Sequence, residues 1–418
     1  MDWRYFDPRQ DQDAAERLWH EAGWLNRHDP QACRGMAAYT ASGRGYAGLV
    51  HGAPECLVFT ASANIRHLDA ELSLCGVTGV ATSRNGRKQG LALGLTARAV
   101  AEAGRDGFAV AGLSTFEQGF YNRIGFGNAA YEHLWRFDPV RLTVSDKVRA
   151  PHHLYPSDFE AVHDARLSRK RFHGSVSVLD PRVTQSTLLR TPGGFGLGYF
   201  DGPGEAPSHG LWCGVQQMMS GPYVVEFLFW QTGDQFLELL GLIKQWGDQI
   251  RQVNLSEPSG IQLQDLMDRP TQHFNSTAGG SFPSGCQGRA WFQYRILDLA
   301  ACITATHLTG PELIFNLDLR DPMEEYQQHH ATLFDGVESR GISGKYRVSL
   351  GQNSHVETGL DNSLPTLKAS IGAFTRLWLG VRPATGLAVT DDLTGPPELL
   401  QQLDETLRLP SPITDWQF

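Results

Sequence analysis

Short apolar runs alternate with polar, glycine-containing turns in the first part of the chain. The apolar run at 76–82 is bounded by a polar turn, which favours a buried strand over a helix. A segment rich in Ala and Leu opens after Gly90 and stops at Gly104, which predicts a helix. The apolar run at 108–113 predicts a second buried strand. The pattern therefore predicts a strand, helix and strand in that order.

Weaker patterns precede this unit. Residues 11–24 carry Leu18, Trp19 and Trp24 on an otherwise polar segment with acidic residues at its start, which predicts an amphipathic helix. The apolar segments at 56–62 and 72–75 predict two strands before the buried strand at 76–82. Together these elements predict an antiparallel run of strands that leads into the central one.

The rest of the chain repeats this alternation twice with different detail. The predicted central elements are a strand ending in a turn at 195–202, a strand at 224–229, a helix at 232–246 and a strand at 253–255. The predicted later elements are half-buried strands at 313–319 and 346–350 and a helix at 371–379. Loose polar stretches after residue 139 and at 278–285 predict domain boundaries, so we expect domains at 1–140, 141–288 and 289–418.

Length and composition fit a globular protein of two or three domains. The chain has 418 residues, of which 41% are hydrophobic and 19% charged. It lacks any apolar run of the roughly 20 residues that a membrane span needs. Its start, Met1-Asp2-Trp3-Arg4, lacks the apolar segment of a signal peptide, so we expect a cytoplasmic protein.

Charge and cysteine spacing exclude two classes of function. The formal net charge of −9 disfavours a nucleic-acid partner, whose phosphates require basic patches, and is compatible with a cationic amine substrate. The six cysteines show no Cys-x-x-Cys spacing, and the adjacent His152 and His153 point in different directions on any regular element. We therefore expect reduced, buried thiols and no metal site.

A basic, glycine-containing turn connects the buried strand at 76–82 to the helix that follows it. Its sequence is Arg87-Lys88-Gln89-Gly90-Leu91-Ala92. The first amides of a helix have no partner inside the helix and lie at the positive end of its dipole. A pyrophosphate could bind there because Gly90 lets the backbone approach closely and the two basic side chains add charge. A plain helix cap would have the same pattern.

A second motif makes the anion site specific. Residues 120–127, Phe-Tyr-Asn-Arg-Ile-Gly-Phe-Gly, resemble the Tyr-x-Arg-Phe-Gly-Tyr-Gly signature of the enhanced intracellular survival (Eis) acetyltransferases, which belong to the GNAT superfamily. The resemblance implies an α+β chain with two GNAT-like domains, the second without a donor motif, and a final sterol-carrier-protein-like domain. It also implies a homo-oligomer, a hexamer in the family.

The resemblance implies a role for each part of the site. Tyr121 matches the family's general acid, and the terminal carboxylate of Phe418 matches its general base. The donor, acetyl-CoA or another acyl thioester, would be bound by Val80, Thr82, Arg87, Lys88, Gly90, Leu91 and Phe116. The acceptor, a small-molecule amine, would be bound by Trp19, Trp24, His28, Trp416 and Gln417. Without the resemblance, an aromatic residue on a helix face such as Trp19 is more often part of the hydrophobic core than of a binding pocket.

Two positions depart from the family. Phe116 occupies the position of a serine near the thioester, and Gln417 replaces the acidic residue found in members that acetylate aminoglycosides. A phenyl ring at 116 would crowd or reshape the donor tunnel. Three alternatives therefore stay open: an acetyl-CoA-dependent enzyme, an acyltransferase that takes its acyl group from an acyl carrier protein in natural-product biosynthesis, and a non-catalytic lipid-binding protein.

Overall fold

The computed structural model describes residues 1–115, 117–202, 204, 206–216, 220–270, 282–337 and 341–418. The strands of this part of the chain are β1 Asp2–Tyr5, β2 Arg44–Val50, β3 Ala53–His67, β4 Ala70–Thr82, β5 Val110–Ser114, β6 Gly127–Asn128, β7 Glu132–Phe137, β8 His152–Leu154, β9 Val176–Val178, β10 Phe195–Tyr199, β11 His209–Val215, β12 Tyr223–Phe229, β13 Val253–Ser256, β14 Gly285–Arg289, β15 Phe292–Ile296, β16 Leu313–Arg320, β17 Gly344–Leu350, β18 His355–Thr358, β19 Thr366–Ser370 and β20 Leu393–Thr394.

Helices cover the sheets and connect their strands. They are α1 Pro8–Glu21, α2 Pro30–Ala41, α3 Leu91–Arg105, α4 Phe159–Leu167, α5 Pro181–Arg190, α6 Gly233–Gln245, α7 Leu299–Thr304, α8 Pro322–His329, α9 Ile371–Trp378, α10 Ala384–Thr390 and α11 Pro397–Thr406. Many start at an acidic or hydroxyl cap: the side chains of Asp7 and Asp29 accept backbone N–H bonds at the starts of α1 and α2. Among the described residues, none of the helices combines the length and apolar character needed to cross a membrane.

Three sheets organise the described residues. The first has the strand order β1-β2-β3-β4-β5-β15-β6, and β9 adds to it beside β3. The second has the order β14-β7-β13-β12-β11-β10-β8, and the third β18-β17-β16-β19-β20. Parallel and antiparallel pairs occur in all three. The protein is therefore α+β with mixed sheets.

The structure refines several predicted elements. The segments 72–75 and 76–82, predicted as separate strands, form the single strand β4. The helix predicted at 11–24 starts earlier, at Pro8, and ends at Glu21. The predicted strand, helix and strand of the central part are β12, α6 and β13, with β12 and β13 parallel neighbours.

Sheet membership does not follow the predicted domain boundaries, which stay predictions. β7 lies before residue 140 but belongs to the second sheet. β9 lies in the central part of the chain and pairs with β3, and β15 lies after residue 289 and pairs with β5. The likeness of the third sheet and its helices to a sterol-carrier-protein-like domain also stays a prediction.

Candidate active site

The parallel strands β4 and β5 separate before β4 ends. Their pairing runs from Leu74 opposite Val110 to Val77 opposite Leu113. β5 stops at Ser114, whereas β4 continues to Thr82. Among the described residues, 78–82 therefore have no strand partner on the β5 side, and the sheet opens at this point.

A β-bulge distorts β4 just after it leaves β5. Leu57 pairs with Ala81 and Phe59 with Thr78, so the two residues Gly79 and Val80 lie opposite a single residue of β3. Gly79 has a φ of +58°, the left-handed region in which glycine is favoured. A bulge leaves the extra residue outside the regular ladder of hydrogen bonds. Backbone groups of β4 are therefore available to a ligand in the opening.

The start of α3 has the features of an anion site. Gly90 is the N-cap with a φ of +76°, and no side chain caps the helix start. A methyl group at Gly90 would meet no heavy atom within 4 Å, so the backbone is open to approach. Arg87 and Lys88 are exposed beside it. The side chain of Leu91 is buried in the core, so only its backbone can serve a ligand.

Tyr121 opens a short 3-10 turn, Tyr121–Ile124, beside these strands. Its ring is buried and packs edge-on against Phe120 at 4.8 Å. Burial raises the pKa of its hydroxyl above the ordinary tyrosine value, and nearby Cys56 and Glu117 act in the same direction. Within the described residues the hydroxyl has no hydrogen-bond partner. It therefore keeps its proton at neutral pH, and its O–H has no competing acceptor among the described residues.

The C-terminal residue lies against the donor strand. A methyl group at Gly76 would come within 2.7 Å of Cδ2 of Phe418, so the phenyl ring occupies the space that the missing side chain leaves. The ring is 8% exposed and lies 5.4 Å from the ring of Phe292. In the part of the chain that the structure describes, the terminal carboxylate forms no ion pair. The end of the chain thus lies two residues along β4 from the start of the opening.

Solved structures with this arrangement of sheets and helices identify the fold. A probable N-acyltransferase from Enterococcus faecalis V583 is 16% identical and superposes with a TM-score of 0.78 over 100% of both chains. A GCN5-related N-acetyltransferase from Anabaena variabilis is 14% identical, with a TM-score of 0.75 over 100% of both chains. Eis1 from Mycobacterium abscessus is 16% identical, with a TM-score of 0.74 over 100% of both chains. The fold is that of an Eis-like GCN5-related N-acetyltransferase. No protein-family model and no curated relative matches the chain.

The acceptor residues predicted at the start of this Eis-like fold are only partly brought together. Trp19 is buried and contacts Trp24 edge-on at 6.0 Å, and Trp24 is 40% exposed. His28 is exposed, and its backbone N–H donates to the side chain of Asn26. Within the described residues His28 has no hydrogen bond or ring contact to the two tryptophans. The two tryptophans, but not His28, lie in one cluster.

Two residues that sequence reasoning missed complete this cluster. Tyr39 of α2 packs against Trp19 at 5.4 Å, and its hydroxyl hydrogen-bonds Thr78 at the start of the opening. The guanidinium of Arg190, from α5, lies 4.8 Å from the centroid of the Trp19 ring. Both belong to helices far apart in the sequence, and neither lies in a motif. The packing of α2 against α5 brings them together around Trp19.

The predicted donor residues Val80 and Thr82 lie on the open end of β4. Val80 is half-buried in the bulge. The Thr82 hydroxyl donates to the Sγ atom of Cys56 at 3.2 Å. Burial raises the pKa of the Cys56 thiol to about 12, so this cysteine stays protonated. Phe116, the predicted residue at the thioester, lies outside the described residues.

A cavity of about 150 Å³ borders the C-terminal tail of the Eis-like fold, residues 413–418. Gln417 lines it and is exposed, and Trp416 lines it and is 2% exposed. Across from the tail, Glu132 is half-buried, and burial raises the pKa of its carboxyl to about 8, with Arg289 opposing the rise. The aromatic side chains of Phe172 and Trp230 form part of the wall. Arg166, Arg169 and Lys170 also line the cavity, so acidic, basic and apolar side chains meet there.

No metal-binding cluster of three or more His, Cys, Asp or Glu side chains is found in the part of the chain described. Adjacent His152 and His153 lie on strand β8, where consecutive side chains point to opposite faces. Their rings contact Phe200 and Tyr155 respectively. Both histidines therefore pack against aromatic side chains.

Proposed function

We propose that this chain is a GNAT-type N-acyltransferase that moves an acyl group from a thioester to the amine of a small molecule. One observation carries the proposal: the terminal residue Phe418 is buried on Gly76, next to the point where β4 leaves β5. Most chain ends are poorly ordered because little fixes them. A terminal ring fixed on β4 would keep the carboxylate of Phe418 close to this strand, as a general base of the kind that the Eis resemblance implies would require.

The proposed reaction uses the terminal carboxylate, the backbone amides of the β4 bulge and the hydroxyl of Tyr121. The carboxylate of Phe418 takes one proton from the acceptor's ammonium group, and the free amine attacks the thioester carbon. Amides of the bulge at Gly79 and Val80 polarise the carbonyl as negative charge builds on its oxygen. A C–N bond forms and the C–S bond breaks. Tyr121 protonates the departing sulfur and recovers a proton from water, while the second amine proton passes to solvent.

The donor is acetyl-CoA by default, and an acyl group on a carrier protein is the variant to test against it. The exposed basic pair, Arg87 and Lys88, together with the uncapped start of α3, supports a donor with phosphate groups. Phe116 would set the acyl length. We expect Phe116→Ser to favour acetyl-CoA over bulkier donors, and an unchanged preference across a chain-length series would place that ring away from the thioester.

The acceptor is an amine, which the cavity beside the tail supports. Glu132 lies in that cavity without an ion-pair partner among the described residues. A bound ammonium group would stabilise its charged form and lower its pKa. Assembly into a hexamer is part of the same proposal and rests on the family resemblance.

Changing the terminal carboxylate tests the proposal. Amidating Phe418 by ligation keeps the ring and removes the charge, and we expect turnover to fall by roughly 100-fold or more, the contribution of a general base. Adding one glycine moves the carboxylate by about 3.5 Å and should have a similar effect. Turnover is measured against a panel of amines with acetyl-CoA as donor.

Controls separate this test from loss of folding and from the alternative of a lipid-binding protein. Phe418→Ala keeps the carboxylate and weakens its anchor, so it should cost less than amidation. Tyr121→Phe should lower turnover while acetyl-CoA still binds. Native turnover by the amidated protein would rule out the terminal base. Failure of the unmodified protein to bind acetyl-CoA in calorimetry would rule out an acetyl-CoA-dependent enzyme, and failure to transfer an acyl group from a carrier protein as well would rule out the acyltransferase.

A further inference from the structure

The last residues of the chain are held mainly by residues of the central part. Helix α11 ends at Thr406, and the chain then returns to the first sheet. The backbone N–H of Ile413 donates to the carbonyl oxygen of His173 at 3.2 Å. The hydroxyl groups of Thr414 and Tyr294 hydrogen-bond at 2.6 Å. Beyond these contacts the chain continues to Phe418, whose ring packs on Gly76.

Asp415 makes the strongest contact of the tail. Arg169 grips its carboxylate with two parallel bonds, from Nε to Oδ2 at 3.0 Å and from Nη2 to Oδ1 at 2.7 Å. The backbone N–H of Val176 donates to Oδ1 at 3.1 Å. Paired charge-assisted bonds of this kind fix direction as well as distance. The tail is therefore constrained three residues before the terminal carboxylate.

The guanidinium of Arg169 is itself held rigidly by the central part of the chain. Its Nη1 donates to the carbonyl oxygen of Arg166 at 2.6 Å, and its Nη2 donates to that of Val176 at 2.6 Å. Its side chain is only 4% exposed. These bonds do not involve the tail, so the receptor for Asp415 is already formed.

Trp416 adds a second fixed contact. Its ring lies 3.6 Å from the guanidinium of Arg166, which lies 4.0 Å from the ring of Phe227 on its other side. Arg166 is buried and donates to the hydroxyl of Thr184 at 2.9 Å. Among the described residues no carboxylate pairs with it. The indole face of Trp416 supplies the attraction that a carboxylate would otherwise give.

We propose that Asp415, held by Arg169, is a positioning residue that fixes the terminal carboxylate of Phe418 beside the open end of β4. Three residues of free chain can sweep about 10 Å, whereas a catalytic group must be held to within about 0.5 Å of its productive place. The ion pair removes that freedom. The catalytic consequence rests on the proposed function, but the restraint of the tail does not.

Asp415→Asn tests the positioning role. It keeps the shape of the side chain and removes the charge, and we expect kcat to fall by about 10- to 100-fold with the KM for the donor unchanged. Asp415→Glu restores the charge with a longer arm and should recover part of the lost kcat. A residue that only stabilises the fold would not separate kcat from KM in this way.

Asp391→Asn is the matched control. Asp391 also forms an ion pair with an arginine, Arg376, at 2.6 Å, and its side chain is 26% exposed against 23% for Asp415. It lies outside the tail. Its variant should keep the native kcat while losing a comparable amount of thermal stability.

A carboxypeptidase that prefers aromatic ends measures how firmly the tail is held, independently of catalysis. The measured quantity is the rate at which it removes Phe418. Phe418 should be removed at least about 10 times faster from Asp415→Asn than from the unmodified protein or Asp391→Asn, since an ion pair of about 1.5 kcal/mol is lost. Equal trimming rates would overturn the restraint. Faster trimming with native kcat, in a protein that amidation inactivates, would overturn the positioning role. Faster trimming in a protein that amidation leaves active would support the restraint and reject the proposed base.

Discussion

At the scale of single residues, two glycines of β4 decide what this strand can hold. Gly76 has no side chain, and the ring of Phe418 fills that space. Gly79 adopts a left-handed conformation that forms the bulge, and a side chain there would also meet Phe59 at 3.0 Å. One glycine admits the proposed base and the other exposes backbone for the donor. Neither has any chemistry of its own.

Gly76→Ala should therefore act on catalysis through the tail. The new methyl group would lie 2.7 Å from Cδ2 of Phe418 and push the ring away. We expect kcat to fall by about 10-fold or more, as a misplaced catalytic group does, and stability to fall by about 1–3 kcal/mol from overpacking. Steady-state kinetics and thermal unfolding measure the two effects.

Gly285→Ala is the control for that substitution. Gly285 also lies in a strand, β14, but a methyl group there meets no heavy atom within 4 Å. Its variant should keep the native kcat. If Gly76→Ala also keeps the native kcat, the position of the Phe418 ring on β4 does not affect catalysis.

At the scale of elements, the site is built by β4, the turn after it and α3. The strand leaves its neighbour, the turn exposes two basic side chains, and the helix starts without a side-chain cap. The start of a helix concentrates unpaired N–H groups and the positive end of its dipole. In the proposed function, the arm of a thioester would follow the backbone of β4 and its phosphates would bind at the start of α3.

Arg87→Ala and Lys88→Ala should each raise the KM for acetyl-CoA by about 10-fold, since a hydrogen bond to a charged group contributes about 1.5 kcal/mol or more. The kcat should change little, because a phosphate contact is made equally in the ground state and the transition state. Arg105→Ala, at the opposite end of α3, should leave the KM unchanged. A collapse of kcat with intact donor affinity would contradict an anion site here. Weak sensitivity with a carrier-protein donor would favour that donor.

At the scale of the whole molecule, a pair of buried histidines links β3 of the first sheet to helix α9, which follows β19 of the third sheet. His67, at the end of β3, stacks on Trp378 of α9 with ring centroids 4.3 Å apart. His173, from the central part, accepts the backbone N–H of Leu68 at Nδ1 and faces the carbonyl oxygen of Leu379 with Nε2 at 2.9 Å. Both its nitrogens are therefore satisfied only in the neutral form. Burial lowers the pKa of both histidines.

This pair predicts a loss of stability in acid. The unfolded chain binds a proton at each histidine below about pH 6.5 while the folded protein does not, so the free energy of unfolding falls as pH drops below 6.5. Each histidine contributes up to about 1.4 kcal/mol per pH unit. Glu132 acts oppositely, because its raised pKa of about 8 favours the folded state toward acid. Burial also lowers the pKa of His163 and His209 and raises that of Glu226, so four histidines act against two carboxyls and the net effect is a loss.

Denaturant unfolding between pH 5 and pH 7.5 measures this dependence. His67→Leu should reduce the slope of stability against pH by up to about 1.4 kcal/mol per pH unit. The exposed His28 is the control, and His28→Gln should leave the slope as it is. An equal slope in all three proteins would show that the buried pair does not govern the response to acid.

The sequence by itself determined the elements whose causes are local. The apolar run and glycine turns around α3 lie where their pattern predicts, because periodicity and capping act over a few neighbouring residues. The motif at 120–127 pointed to the Eis-like fold, which the solved structures share. A short motif could do this because each of its positions meets a local requirement, such as the left-handed Gly125 that ends the turn of Tyr121.

Only the tertiary structure decided which distant residues meet. β15 pairs with β5, and β9 pairs with β3. No local sequence pattern predicts these pairs, because burial over the whole chain decides which strands pair. The same holds for Tyr39 and Arg190, which meet around Trp19, and for the ion pair of Arg169 with Asp415, residues 246 positions apart. The aromatic end of the chain could be read from the sequence, but its place on Gly76 follows from packing of the folded chain.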